Sequence, residues 1–184
     1  VRATFFVVGT NCLKYPDAVK QEAAAGHAVG IHSWTHQYSY IYANLTNFMQ
    51  DFYQLKQYLT QQLGTAPDIC RFPGGTNNTV SLRYNKNHIM KQIVGQVEAA
   101  DVRPIDWNAS VEDAVKQKST SNQMARRVIQ QIGSQHRPVI LMHDIGRNTR
   151  TIGALPQMVR QLRAEGFSFG ILTAKTPAIM FPPS

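Results

Sequence analysis

Two histidines four residues apart are the clearest sign of chemistry in this sequence. His32 and His36 directly follow the apolar run of residues 28–31, which is typical of a buried strand. A strand that ends in a loop or a first helical turn places both imidazole rings on one face, where they can bind one metal ion. Neutral imidazole suits Zn²⁺, and a catalytic zinc usually keeps one position open for water. The pair therefore predicts half of a zinc site; the alternative is that His36 caps a turn and His32 ends a strand.

The composition predicts a single globular domain over residues 1–184. The chain is 43% hydrophobic and 16% charged, and a chain of this length can bury a substantial core. Nineteen Lys and Arg residues against eleven Asp and Glu residues give a net charge of +8, which favours anionic partners. The basic residues are scattered, and no stripe of basic and aromatic residues runs between them. We therefore expect no nucleic-acid partner.

The cysteines and the apolar runs exclude several other classes of protein. Cys12 and Cys70 match neither a disulfide framework nor a zinc ribbon, and we interpret both as small buried hydrophobic residues. No apolar run approaches the roughly 18 to 20 residues that span a bilayer. No charged and then apolar leader precedes Val1. The sequence therefore predicts no transmembrane segment in this chain.

Apolar runs alternate with segments of helical periodicity along the whole chain. This alternation predicts parallel βαβ units, arranged either as a barrel or as an open doubly wound sheet. Strands are predicted at residues 3–9, 28–31, 67–75 (running into a Pro/Gly turn), 102–107, 138–142 and 167–172, and helices at residues 16–25, 44–63, 88–100, 124–132 and 152–164.

Polar and titratable residues follow four of the predicted strands. In α/β folds of both kinds, the side chains that carry chemistry lie where the parallel strands end. Taken singly, each residue has a structural explanation, such as a surface ion pair for Arg71 or a helix cap for Asp106. Taken together, they indicate one active site. These residues are His32, Arg71, Asp106 with Trp107, and His143 with Asp144.

Four motifs in a fixed order give the sequence its resemblance to a known family. They are His-Ser-Trp-Thr-His at residues 32–36, Arg-Phe-Pro-Gly-Gly at 71–75, Asp-Trp at 106–107 and Leu-Met-His at 141–143. The chain resembles the polysaccharide deacetylases of the NodB-homology type, carbohydrate esterase family 4. The residues within these motifs are most similar to those of Gram-positive enzymes that act on peptidoglycan.

The resemblance implies a fold, a reaction and a location. The fold would be an α/β distorted (β/α) barrel. The reaction would be metal-dependent hydrolysis of the N-acetyl group of GlcNAc or MurNAc in peptidoglycan, which releases acetate. The metal would be Zn²⁺, with Co²⁺ or another divalent ion as an alternative. Because peptidoglycan lies outside the cell, the protein would be extracellular or associated with the cell wall of a Gram-positive bacterium.

The resemblance also implies roles on the metal side of the site. His32 and His36 would bind the ion, which acts as a Lewis acid on the acetyl carbonyl. The backbone N–H of Gly74 would donate to the oxyanion, since a glycine lets the main chain approach the tetrahedral oxygen closely.

Further roles fall on the later motifs. His143, held by Asp106, would be the general acid that protonates the leaving amine. Arg71 would orient the catalytic base, and Trp107 and Leu141 would form the walls of the acetyl pocket.

One motif of the family does not occur in this sequence. Thr-Phe-Asp-Asp-Gly supplies the base and the third metal ligand in the family, and residues 1–6 resemble the segment that normally follows it. We therefore expect a barrel that lacks its first βα unit, with an open sheet edge that favours self-association. We also expect these 184 residues alone to bind metal weakly and to turn over slowly. A chitin-oligosaccharide deacetylase and a catalytically dead carbohydrate-binding relic are the alternatives.

Overall fold

The structure is a computed structural model that describes residues 1–115, 118–146, 148–177 and 179–184. The strands are β1 (Thr4–Val8), β2 (Ala28–Ser33), β3 (Ile69–Cys70), β4 (Arg103–Pro104), β5 (Ala109–Ser110) and β6 (Ile140–Leu141). The helices are α1 (Gly9–Lys14), α2 (Ala18–Ala24), α3 (Tyr38–Ile41), α4 (Leu45–Leu63), α5 (Met90–Ala99), α6 (Ser121–Ile132) and α7 (Thr149–Ala164), with a 3₁₀ helix at Thr79–Arg83.

The chain divides into two compact units. We call the first the sheet unit, made of Arg2–Asp106 and Gly170–Ser184, and the second the helix-pair unit, made of Val1 and Trp107–Phe169. The expected single domain over residues 1–184 stays a prediction. No helix in the described ranges is long and apolar enough to cross a membrane.

A four-stranded parallel sheet organises the sheet unit. Its order is β1-β2-β3-β4, so strands that follow each other in sequence are also neighbours in space. Parallel neighbours place the carboxyl ends of their strands at one edge, which is where chemistry collects in such folds. The predicted α/β class with parallel strands is confirmed. Among the described residues β1 pairs with β2 alone, and self-association at its other edge stays a prediction.

Helix α4 forms because its sequence supplies an apolar stripe and both end signals. Phe48, Phe52, Leu55 and Leu59 recur at helical spacing, and all four are buried against the sheet unit's core. Asn44 caps the start by accepting a hydrogen bond from the Asn47 N–H at 2.8 Å. Gly64 ends the helix with φ +75, a left-handed conformation that suits glycine. The helix predicted at residues 44–63 is thus confirmed to within one residue.

The helix-pair unit has a separate core. Its two strands, β5 and β6, are parallel neighbours, and helices α6 and α7 pack against each other. Helix α6 begins with a capping box, in which Thr120 and Gln123 exchange hydrogen bonds between side chain and backbone. The buried apolar residues of this core include Val111, Met124, Val128, Ile132, Met158 and Leu162.

Several predicted strands are shorter than the apolar runs suggest. The run at residues 102–107 gives only Arg103–Pro104, which is connected to β3 by the N–H groups of Arg103 and Ile105. The run at 138–142 gives only Ile140–Leu141. The strand predicted at 167–172 is wrong: this segment is irregular, and the Leu172 N–H donates to the Thr4 hydroxyl at 2.8 Å rather than to a neighbouring strand.

The cap of α4 makes a measurable contribution to stability. Asn44→Ala should lower the free energy of unfolding by about 1 kcal/mol, because one N–H of the first turn loses its acceptor. Urea unfolding at neutral pH measures the loss. Gln54→Ala, at an exposed position of the same helix, is the control and should change stability by less than about 0.5 kcal/mol. Equal stabilities for the two variants would contradict the assigned cap.

Candidate active site

The two histidines lie together at the end of β2. Their ring centroids are 5.1 Å apart, and the ring planes are inclined by 36°. The Nδ1 atom of His32 lies 2.6 Å from the carbonyl oxygen of Arg71. Because a carbonyl only accepts, Nδ1 carries the proton, and the lone pair of the neutral ring is on Nε2. Metal-binding histidines typically have such a bond on their other ring nitrogen. The geometry therefore fits two ligands of a metal site.

The turn that carries the histidines is held by a buried carboxylate on α4. Asp51 is 4% exposed, and each of its oxygens accepts two hydrogen bonds from residues 33–35. Oδ1 accepts from the Ser33 hydroxyl at 2.7 Å and the Trp34 N–H at 2.6 Å. Oδ2 accepts from the N–H and the hydroxyl of Thr35 at 2.8 and 2.7 Å. Asp51 thus fixes the path of the turn between His32 and His36.

The same network reaches His36. The Ser33 hydroxyl, which donates to Asp51, accepts the backbone N–H of His36 at 2.9 Å. His36 itself has φ +57, a left-handed conformation that is uncommon outside glycine. Asp51 is not among the site residues predicted from the sequence, although one feature of the sequence indicates a structural role for it. An acidic residue stands within the apolar stripe of α4, between Phe48 and Leu55, where only a satisfied carboxylate can be buried.

Gly74 lies close to the Tyr38 side chain, at a turn that favours glycine. Its φ is +81, and a Cβ there would come within 2.9 Å of the Asn78 Cβ and 3.3 Å of the Tyr38 hydroxyl oxygen. The residue is exposed, and its N–H donates no hydrogen bond among the described residues. This N–H is therefore available to an acceptor on a ligand.

Arg71 ties the end of β3 to the segment that follows β4. Its Nε donates to the Ile105 carbonyl at 2.9 Å, and its Nη2 donates to the Asp106 carbonyl at 2.8 Å. The guanidinium also lies over the Phe6 ring, 4.5 Å from the centroid. Burial lowers the pKa of Arg71 to about 10, and the charge of Asp106 opposes this shift. The side chain therefore stays charged at neutral pH.

Asp106 binds the last residues of the chain. Its carboxylate accepts hydrogen bonds from the N–H and hydroxyl of Thr76 and from the Phe181 N–H at 2.8 Å. The Asp106 N–H donates to the Ile179 carbonyl at 2.7 Å. This buried aspartate therefore connects the turn after β3 with the segment that ends at Ser184.

In the helix-pair unit, His143 is held by Asp113. The His143 Nδ1 lies 2.7 Å from Asp113 Oδ1, and the His143 N–H donates to Oδ2 at 2.9 Å. Thr151 adds a third bond, from its hydroxyl to Oδ2 at 3.0 Å. Asp113 is 2% exposed. The predicted pairing of His143 with Asp106 is wrong, because Asp113 supplies the carboxylate. Strand-end spacing could not identify it, since residue 113 lies in a loop and not at a strand end.

Two further predicted residues lie in this unit. Leu141 is the last residue of β6, and it is half-buried, with Ser110 of β5 as its strand neighbour. Trp107 is half-buried and is the first residue of the unit after Asp106. Their expected role as pocket walls stays a prediction. Across the described ranges, no group of three or more His, Cys, Asp or Glu side chains is placed to bind a metal ion.

The Asp51 network gives a prediction. Asp51→Asn should lower the free energy of unfolding by about 2 to 3 kcal/mol, because the amide nitrogen cannot accept and leaves two buried donors unpaired. Urea unfolding measures the loss, and NMR should show shifted ring signals for His32 and His36. Asp68→Asn, at an exposed position, is the matched control. Unchanged stability and histidine signals in Asp51→Asn would contradict the network.

Asp113 gives a prediction about pH. Burial raises the pKa of Asp113, but the hydrogen bonds and charge of His143 and the bond from Thr151 outweigh it, so the pKa falls below the ordinary 3.8. The unfolded chain therefore takes up the proton first. The stabilisation is present above the ordinary pKa and is lost as the pH falls through the lower pKa of the folded state.

Urea unfolding between pH 7 and about pH 3, which lie on either side of the ordinary aspartate pKa, measures how the free energy of unfolding depends on pH. Asp113→Asn should be less stable at pH 7 and should lose less stability on acidification than the wild type. Asp144→Asn, at an exposed position next to His143, is the control and should keep the wild-type loss. An equal acid loss in Asp113→Asn and the wild type would overturn the assignment.

Comparison with solved structures shows where this architecture occurs. The catalytic domain of a peptidoglycan N-acetylglucosamine deacetylase from Eubacterium rectale is 35% identical and superposes with a TM-score of 0.93, covering 100% of this chain and 82% of that one. A carbohydrate esterase family 4 enzyme from Streptococcus mutans is 30% identical, with a TM-score of 0.79, covering 94% of this chain and 75% of that one.

Comparison with curated sequences and family models agrees with the structures. A peptidoglycan-N-acetylglucosamine deacetylase from Bacillus cereus is 28% identical over 170 residues, which are 91% of this chain and 58% of that protein. The chain thus spans somewhat more than half the length of such relatives. The family model described as polysaccharide deacetylase matches residues 1–93, half of the chain. The chain therefore belongs to the polysaccharide deacetylase family.

Proposed function

We propose that this chain takes part in the hydrolysis of N-acetyl groups on the amino sugars of peptidoglycan, with release of acetate. The observation that supports the proposal most is the arrangement at the end of β2. Two imidazoles with ring centroids 5.1 Å apart lie on a turn held by Asp51, and the exposed residue Gly74, whose N–H makes no hydrogen bond among the described residues, lies in the same unit. The resemblance of the four motifs and the peptidoglycan deacetylases among the relatives support the choice of substrate.

His32 and His36 are the residues that would hold a divalent ion, with Zn²⁺ as our choice and Co²⁺ as the alternative. Neutral imidazole with its lone pair on Nε2 is the form that binds zinc, and the bond from His32 Nδ1 to the Arg71 carbonyl favours this form. When bound, the ion supplies Lewis-acid polarisation of the acetyl carbonyl. The protein's own part is to hold the two rings, through Asp51, in a fixed orientation.

Gly74 would stabilise the negative charge that develops on the acyl oxygen. A backbone N–H held in place by the fold needs no reorganisation when that charge appears, and such donors often contribute more to acyl-transfer catalysis than any other group. The absence of a Cβ at Gly74 lets a carbonyl group approach the main chain. Arg71 would fix the start of the turn that carries Gly74. Its guanidinium and its backbone carbonyl both make hydrogen bonds to neighbouring segments.

His143 would be the acid that protonates the leaving amine. An amine leaves only when it takes up a proton, and an imidazolium can donate that proton near neutral pH. Asp113 fixes the orientation of the ring, because its carboxylate accepts from Nδ1 and leaves Nε2 to face the substrate. Trp107 and Leu141 would exclude water from the acetyl methyl group.

The general base and a third metal ligand are not assigned to this chain. The Thr-Phe-Asp-Asp-Gly motif does not occur among its residues, and Asp51, Asp106 and Asp113 are each committed to the bonds described above. We propose that these groups come from another segment of the natural protein, which would act outside the cell of a Gram-positive bacterium. Chitin oligosaccharides are the alternative substrate, and a carbohydrate-binding relic without catalysis is the alternative function.

Zinc titration of the chain tests the metal proposal. Isothermal calorimetry should detect Zn²⁺ binding, and His32→Ala or His36→Ala should weaken it by at least about tenfold, because the pair of ligands is broken. His136→Ala, at an exposed position in the helix-pair unit, is the matched control. Unchanged affinity in both His32→Ala and His36→Ala would refute the site.

The reaction is tested in the natural protein that carries this chain. We expect acetate release from peptidoglycan and a fall of at least about a hundredfold in His143→Ala, since general acid catalysis contributes about 10² to 10⁴. Zinc binding should survive this substitution. If the zinc-loaded wild type binds the polymer and releases no acetate, the relic is the correct alternative. Faster release from chitin oligosaccharides than from peptidoglycan would favour the other substrate.

A further inference from the structure

We propose that Tyr38 is a second hydrogen-bond donor to the acyl oxygen of the substrate, acting beside the N–H of Gly74. This inference rests on the proposed function, and it adds a catalytic residue that lies outside the four motifs. The O–H of the phenol and the N–H of the turn would then bind one oxygen atom between them.

The position of the Tyr38 ring is the first observation. Tyr38 is the first residue of α3, two residues after His36. Its ring meets the His36 ring edge to face, with centroids 5.5 Å apart and planes at 77°. The Tyr42 ring also meets it edge to face, with centroids 5.5 Å apart and planes at 68°. The phenol therefore stands next to a proposed metal ligand with its ring confined by aromatic neighbours.

The position of the hydroxyl is the second observation. The Tyr38 hydroxyl oxygen lies 3.3 Å from the point where a Cβ of Gly74 would be. A further bond connects the two segments, because the buried Tyr42 hydroxyl donates to the Pro73 carbonyl at 2.6 Å. Helix α3 and the Pro73–Gly74 turn are thus tied together. The hydroxyl and the Gly74 N–H therefore belong to one fixed arrangement.

The chemical state of the hydroxyl is the third observation. Among the described residues it makes no hydrogen bond, so its proton is available to a ligand. A protonated phenol is a donor, and the Gly74 N–H is another donor. Two adjacent donors select an oxygen that carries negative charge, as the acyl oxygen does in the tetrahedral intermediate.

Tyr38→Phe in the natural protein tests the proposal, because phenylalanine keeps both ring contacts and removes only the hydroxyl. We expect kcat for acetate release to fall about tenfold to a hundredfold, with KM changed less than about twofold, since the bond is strongest in the transition state. Zinc affinity should stay unchanged. Tyr40→Phe is the matched control: the Tyr40 hydroxyl donates to the Gln50 side chain at 3.3 Å, and wild-type rates are expected.

Acetate binding gives a second readout that does not depend on turnover. Titration of the chain with sodium acetate, followed through the amide signal of Gly74 by NMR, should give an affinity about tenfold weaker in Tyr38→Phe, as expected for a bond to a charged acceptor. An active wild type with unchanged kcat and acetate affinity in Tyr38→Phe overturns the role of Tyr38. Loss of zinc binding in Tyr38→Phe also overturns it, because the residue would then act through His36. An inactive wild type refutes the proposed function, and the acetate titration still decides on Tyr38.

Discussion

The candidate site depends on one buried carboxylate. Asp51 lies on the inner face of α4 and receives four donors from the turn after β2. A buried charge is costly unless its lone pairs are satisfied, and these four bonds satisfy it. The turn therefore cannot take another path without leaving that charge unpaired. The orientation of His32 and His36 follows from this constraint, as does the side of α4 that faces the sheet.

Three buried aspartates brace this molecule, and each holds a different part of it. Asp51 holds the histidine turn, Asp106 binds the Thr76 region to the segment ending at Ser184, and Asp113 holds His143. All three accept from backbone N–H groups, which fixes main chain as well as side chains. In the helix-pair unit the carboxylate also fixes the state of a histidine. Because Asp113 accepts from the ring, Nδ1 of His143 carries a proton and Nε2 is left for the substrate.

The sequence predicts the elements whose signals are local. Helix α4 and the strand that carries His32 follow from patterns among residues close together in sequence. The proximity of the His32 and His36 rings follows in the same way from their spacing of four residues. The partner of His143 does not, because Asp106 and Asp113 are seven residues apart in one stretch of sequence and nothing local says which carboxylate reaches the ring. The failed strand at residues 167–172 has a similar cause, since an apolar run becomes a strand only where a neighbour offers a ladder.

Gly74 shows why two positions of the site must be considered as a pair. Its φ of +81 alone favours glycine, but the space around it is the stronger constraint, because Asn78 and the Tyr38 hydroxyl occupy the volume that a side chain would need. A larger residue at 74 would displace the phenol, and a smaller residue at 38 would open the turn to water. The sequence motif names the glycine alone, whereas the structure shows that the tyrosine helps to make the glycine necessary. The space around the Gly74 N–H is thus limited by the Tyr38 side chain, which comes from another segment. Residue spacing within either segment could not have predicted this contact.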